Sequence, residues 1–130
     1  MVNKNKLNLE KLNLPIEYKS LISFLTDKIC DNDNIEKVYL FGSCATETVK
    51  DSSDIDLAIV VNDKKVVDRD FRLSIVDKIE DAIMQENYIN IPYDIVFFNN
   101  KDFERNKTVS ISVVRDIVKE GKLLYERKLL

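Results

Sequence analysis

Three acidic residues stand where fold stability gives no reason for them. Asp54 and Asp56 occupy alternate positions at the mouth of the apolar run Ile55–Val61 (IDLAIVV), and Asp94 lies inside Ile91–Phe98 (IPYDIVFF). Side chains at i and i+2 of a strand point to one face, with Cα atoms about 6.6–6.8 Å apart. Aspartate is depleted in strands, and acids on one face repel each other. A divalent cation offsets that cost, because hard Mg²⁺ takes oxygen ligands. Asp94 shares its strand face with Val96 and Phe98, as Asp54 and Asp56 share theirs with Ala58 and Val60. If the two strands are neighbours in suitable register, the three carboxylates converge. The result is a cage for one or two Mg²⁺ ions, with room for waters and substrate phosphate oxygens.

A second feature lies upstream. The apolar run Val38–Phe41 stops at Gly42-Ser43. Glycine lets the backbone turn sharply and approach a ligand without a Cβ in the way. Ser43 adds a hydroxyl, and the N–H groups of such a turn can form an anion-binding nest. A strand-end Gly-Ser beside a metal cage is where a triphosphate would lie. Other chemistries are excluded by composition. The chain has no His, so Ser-His-Asp triads, Cys-His pairs and His-ligated zinc are impossible. Its two glycines, Gly42 and Gly121, are too few for a dinucleotide fingerprint or a P-loop.

The elements that must position these residues can be read from periodicity. Tyr18, Leu21, Ile22, Leu25 and Ile29 recur at helical spacing after Pro15, and the Asp31–Asn34 cluster ends that helix. Val38–Phe41 and Ile55–Val61 read as buried strands, the latter apolar on both faces. Val67, Phe71, Ile75, Ile79 and Ile83 mark a long helix whose charged side is solvated surface. Ile91–Phe98 is a third strand, with Pro92 near its start where a missing donor is tolerated. A last helix is expected from Thr108 to Glu120, capped by Gly121, with Lys122–Glu126 returning as an extended edge. The expected fold class is α/β (α+β), a small mixed β-sheet flanked by helices.

At 130 residues the chain reads as one domain, 1–130, with a polar and loosely ordered stretch at 1–13. Its net charge of −3 makes it a poor binder of duplex nucleic acid, which is held by Lys and Arg on phosphates. Cys30 and Cys44 lack CxxC spacing and read as free thiols in a reducing compartment. The amino terminus does not read as a signal peptide, and no apolar run in the sequence approaches the ~20 residues needed to span a bilayer. A cytoplasmic protein without membrane contact is the expectation.

Leu40-Phe41-Gly42-Ser43, nine intervening residues, then Ser53-Asp54-Ile55-Asp56-Leu57 resembles the signature of the polymerase-β-type nucleotidyltransferase superfamily. The strand carrying Asp94 resembles that family's third-carboxylate strand. The resemblance runs from about Ile35 to Tyr125 and is to the minimal nucleotidyltransferases, whose ending is similar to Lys119–Glu126. It implies transfer of a nucleoside monophosphate from an NTP, ATP first among them, to a hydroxyl, with release of pyrophosphate. Asp54 and Asp56 would bind Mg²⁺, Asp94 would complete the metal site and assist the acceptor, and Gly42 and Ser43 would hold the nucleotide phosphates. Two positions depart from the pattern: Cys44 stands where many members carry Arg, and Glu47 where many carry Gly.

Minimal members of this kind resemble antitoxins paired with a helical HEPN-type RNase toxin, which they AMPylate. The stretch after the third strand is short for the helical acceptor domain of larger relatives, so a HEPN-type partner protein is the leading acceptor. Two alternatives are a small aminoglycoside-like acceptor with a separate helical subunit, and a non-catalytic binding module.

Overall fold

In a computed structural model, which describes residues 2–50, 52–86 and 91–129, the apolar runs become the middle of one sheet. The strands are β1 (Val2–Lys6), β2 (Ile35–Phe41), β3 (Ile55–Val61), β4 (Tyr93–Asn99) and β5 (Lys122–Leu129). The helices are α1 (Ile16–Cys30), α2 (Arg69–Glu86), α3 (Asn100–Asn106) and α4 (Val113–Glu120). Strand order is β1-β5-β2-β3-β4. Only β3 and β4 run parallel, joined through α2; the other pairings are antiparallel. The sheet is therefore mixed, as the sequence leads one to expect.

Side-chain alternation on the central strands feeds two cores. Ile55, Leu57, Ile59 and Val61 of β3 face one side, where they join α1 and α2 through Leu21, Ile22, Leu25, Phe71, Ile75 and Ile79. Ala58 and Val60 face the other side and meet Tyr39 of β2, Phe103 of α3, and Val114 and Ile117 of α4. This second core is smaller and extends only part-way along the sheet. Asp56 continues the same face toward the end from which β3 starts, where it is only half-buried. Burial on both faces explains why β3 reads as an unbroken apolar run.

Three local expectations are corrected. The stretch 1–13 contains β1, paired with β5, and a single helical turn at Leu9–Lys11. Strand pairing there rests on backbone hydrogen bonds, which leave no apolar pattern in the side chains. The last helix starts at Val113 rather than Thr108, because the Ser112 side chain accepts from the Val114 N–H and sets the boundary. Lys122–Leu129 is an interior strand between β1 and β2, not an edge. Gly121 caps α4 as expected, its N–H donating to the Ile117 carbonyl, with extended backbone at φ −77° and ψ 171°. Its lack of a side chain serves close packing: a Cβ would lie 2.3 Å from the Ile117 carbonyl oxygen and 2.8 Å from that of Leu40. Among the described residues no helix is long and apolar enough to cross a membrane.

Candidate active site

The β3–β4 register sets Asp56 directly beside Asp94. Paired residues of adjacent strands present side chains to the same face, with backbones about 4.7–4.9 Å apart. Across the other edge of β3, Asp56 pairs with Phe41, the last residue of β2. Gly42 follows at once, with φ +71°, and a Cβ there would stand 2.3 Å from Asp56 Oδ2. Glycine is needed here both for the left-handed backbone and for the space the carboxylate occupies. Asp54 lies two residues before Asp56, just ahead of β3. The exposed Asp54 and Asp94 thus flank a half-buried Asp56.

Asp56 feels the charge of both neighbours. Burial, then the charge of Asp54, then that of Asp94 raise the Asp56 carboxyl above the ordinary carboxylate range. The donor set is all oxygen, which fits a hard divalent cation. Among the described residues no three acidic or thiol side chains are grouped closely enough to hold an ion as they lie. The backbone thus brings the three aspartates to one end of the sheet without drawing them into a closed cage.

Ser43 stands in the helical turn Gly42–Cys44. That turn is closed by the Ala45 and Thr46 N–H groups donating to the Gly42 carbonyl, and by Thr48 N–H donating to that of Ser43. Cys44 is fully buried, and its thiol donates to the Asp54 carbonyl at 3.5 Å. Burial, followed by the Asp56 and Asp54 charges, pushes the thiol up to about 11, so it is a protonated structural donor at neutral pH. Glu47 takes the left-handed conformation, φ 59°, at the position where the sequence resemblance expects glycine. Its carboxylate accepts the Asn13 N–H at 2.7 Å. One support escaped sequence reasoning: Tyr93, on the opposite face from Asp94, donates its hydroxyl to Glu80 and ties the start of β4 to α2. Burial and the Glu80 carboxylate push that phenol above its ordinary range.

The profile of the family Polymerase beta, Nucleotidyltransferase matches residues 24–129, most of the chain. The chain belongs to that nucleotidyltransferase family. All five residues singled out in the sequence lie within the matched part of this nucleotidyltransferase. Its fold recurs in a protein assigned as a nucleotidyltransferase from Sulfolobus solfataricus, with TM-score 0.53 and 22% identity over 82% of this chain and 80% of that one. A toxin–antitoxin structure with AMP-PNP aligns at TM-score 0.48 and 25% identity, covering 84% of this chain and 72% of that one. A structure of a tri-AMPylated Shewanella oneidensis HEPN toxin in complex with its MNT antitoxin aligns at TM-score 0.41 and 22% identity, covering 83% and 68%. No curated protein matches the nucleotidyltransferase sequence.

Proposed function

We propose that this nucleotidyltransferase uses Mg²⁺ to move AMP from ATP onto a hydroxyl of a HEPN-type helical protein, silencing it as an antitoxin. The observation that carries the catalytic part is the lateral pairing of Asp56 with Asp94 beside Gly42, with Asp54 two residues away. The choice of protein acceptor rests on the resemblance of the stretch from about Ile35 to Tyr125, and of the ending Lys119–Glu126, to minimal nucleotidyltransferases.

Asp54, Asp56 and Asp94 would hold the metal. When bound, Mg²⁺ polarises the α-phosphate and neutralises charge on the departing pyrophosphate. Gly42 admits the phosphates to the backbone of the turn, and the Ser43 hydroxyl orients them. Asp94 faces the acceptor from the exposed edge strand and takes the hydroxyl proton as the acceptor oxygen bonds to the α-phosphorus. The bond to pyrophosphate breaks in the same displacement. No residue of the chain forms a covalent intermediate; the fold supplies position and field.

The test incubates the chain with α-labelled ATP, Mg²⁺ and a HEPN-type helical protein. Label on the partner, lost in Asp56→Ala and Asp94→Ala, is the expected result. Pyrophosphate release only with small hydroxyl compounds would replace the acceptor. No transfer from any NTP to either class would overturn the enzymatic reading.

A further inference from the structure

The three aspartates are not held in the same way. Asp56 and Asp94 lie within β3 and β4, where the ladder fixes their backbones. Asp54 precedes β3 and has no partner residue in the ladder, so its carboxylate is only as well placed as the segment that carries it. That segment is tied at several points: the Ser53 N–H donates to the Lys50 carbonyl and the Ser53 hydroxyl accepts from the Lys50 N–H. The Ile55 N–H donates to the Pro92 carbonyl at 2.9 Å, and the Cys44 thiol donates to the Asp54 carbonyl. One more tie comes from far upstream in the chain: the Tyr18 hydroxyl, on α1, donates to the Ser53 carbonyl at 2.8 Å.

Tyr18 is 8% exposed and its ring belongs to the main core. In the sequence it reads as one more apolar position of an amphipathic helix. It also lies outside residues 24–129, the part matched by the family profile. A phenol whose ring is packed in the core and whose hydroxyl ends on the peptide before Asp54 links the rigid body of the protein to the least supported of the three acids.

We propose that Tyr18 is a positioning residue for Asp54, setting the affinity of the site for its divalent cation through the Ser53 peptide. The inference rests on the three aspartates being the metal site. Groups that orient a metal ligand from behind typically change metal affinity or activity by 10–100-fold when removed. Tyr18 acts on the ligand's backbone through one peptide, so a roughly tenfold effect, the low end of that range, is expected.

The experiment titrates the full-length chain with Mn²⁺ in the presence of a non-hydrolysable ATP analogue, following free Mn²⁺ by electron paramagnetic resonance. Tyr18→Phe keeps the ring in the core and removes only the hydroxyl. It is expected to weaken Mn²⁺ binding roughly tenfold, and to add nothing further in an Asp54→Ala background. Leu25→Val loosens the same core on the same helix without touching the Ser53 peptide, and is expected to lower Tm while leaving Mn²⁺ affinity as in the wild type. Wild-type affinity in Tyr18→Phe, or an equal loss in Leu25→Val, overturns the positioning role while the metal site stands. Wild-type affinity in Asp54→Ala overturns the metal site itself, and the positioning role with it.

Discussion

Asp56 is the most constrained residue of the site, and its constraint is costly to the protein alone. A half-buried carboxylate between two others sits above its ordinary protonation range through burial first and like charge second. A raised carboxyl contributes stability that is fully present below its unfolded pKa and is lost as pH rises through the folded value. At neutral pH, above the ordinary carboxylate range, Asp56 therefore destabilises the metal-free protein. Asp56→Asn, which keeps the shape and removes the charge, should raise the metal-free Tm at pH 7. The advantage should shrink as pH falls below the ordinary carboxylate range, where the wild-type group is protonated in both states. Thermal melts of both proteins across that pH range, with chelator present, make the comparison. A wild type as stable as the variant at pH 7 would mean that the crowding of charge costs nothing. The same variant is expected to lose transfer activity, because an activity that needs the anion keeps it despite the cost to the fold.

At the scale of elements, legibility followed the density of the apolar pattern. Ile55–Val61 matches β3 residue for residue, because every apolar position on both faces is buried and the side chains record it. The Asp54–Asp56 spacing and Gly42 were legible for the opposite reason, as residue types that packing alone does not select. Where packing is thin, the record is thin. Helix α3 has one fully buried side chain, Phe103, and no element was read there from the sequence; in the structure the Asn99 side chain accepts from the Asp102 N–H and marks its start. Thr108–Ser112 carries Val109 and Ile111, yet Ile111 is 95% exposed and the helix starts only after the Ser112 cap. Tyr18 illustrates a different limit: its helix was legible, but a hydroxyl reaching a carbonyl 35 positions away leaves no local trace. The junction between α4 and β5 offers an element-scale prediction. Gly121→Ala places a methyl against two backbone carbonyls, and backbone cannot move aside as a flexible side chain can. Overpacking of this kind costs about 1–3 kcal/mol. Urea unfolding should show that loss with little change in slope; an unchanged midpoint would mean that the α4–β5 junction yields freely.

For the molecule as a whole, one face of the sheet is sealed by the long helices and the other is covered only part-way by α3 and α4. The covered part is apolar, and the uncovered end carries Asp56 and Asp94 side by side. An exposed end lined with like charge is a surface that a bound cation should consolidate. A ligand that binds only the folded state stabilises it by RT ln(1 + [L]/Kd), about 2.7 kcal/mol at a hundredfold excess over Kd. Mg²⁺ and ATP together should therefore raise the Tm of the wild type by several degrees, and chelation should reverse the gain. Asp54→Ala and Asp56→Ala should start from a Tm equal to or above the metal-free wild type, since each relieves repulsion, and gain little or nothing from the same additions. The crossing of the two orders separates a binding site from a general salt effect, which would act on all three proteins alike. Equal shifts in wild type and variants would place the stabilising ion elsewhere and leave the crowded aspartates without a role in binding.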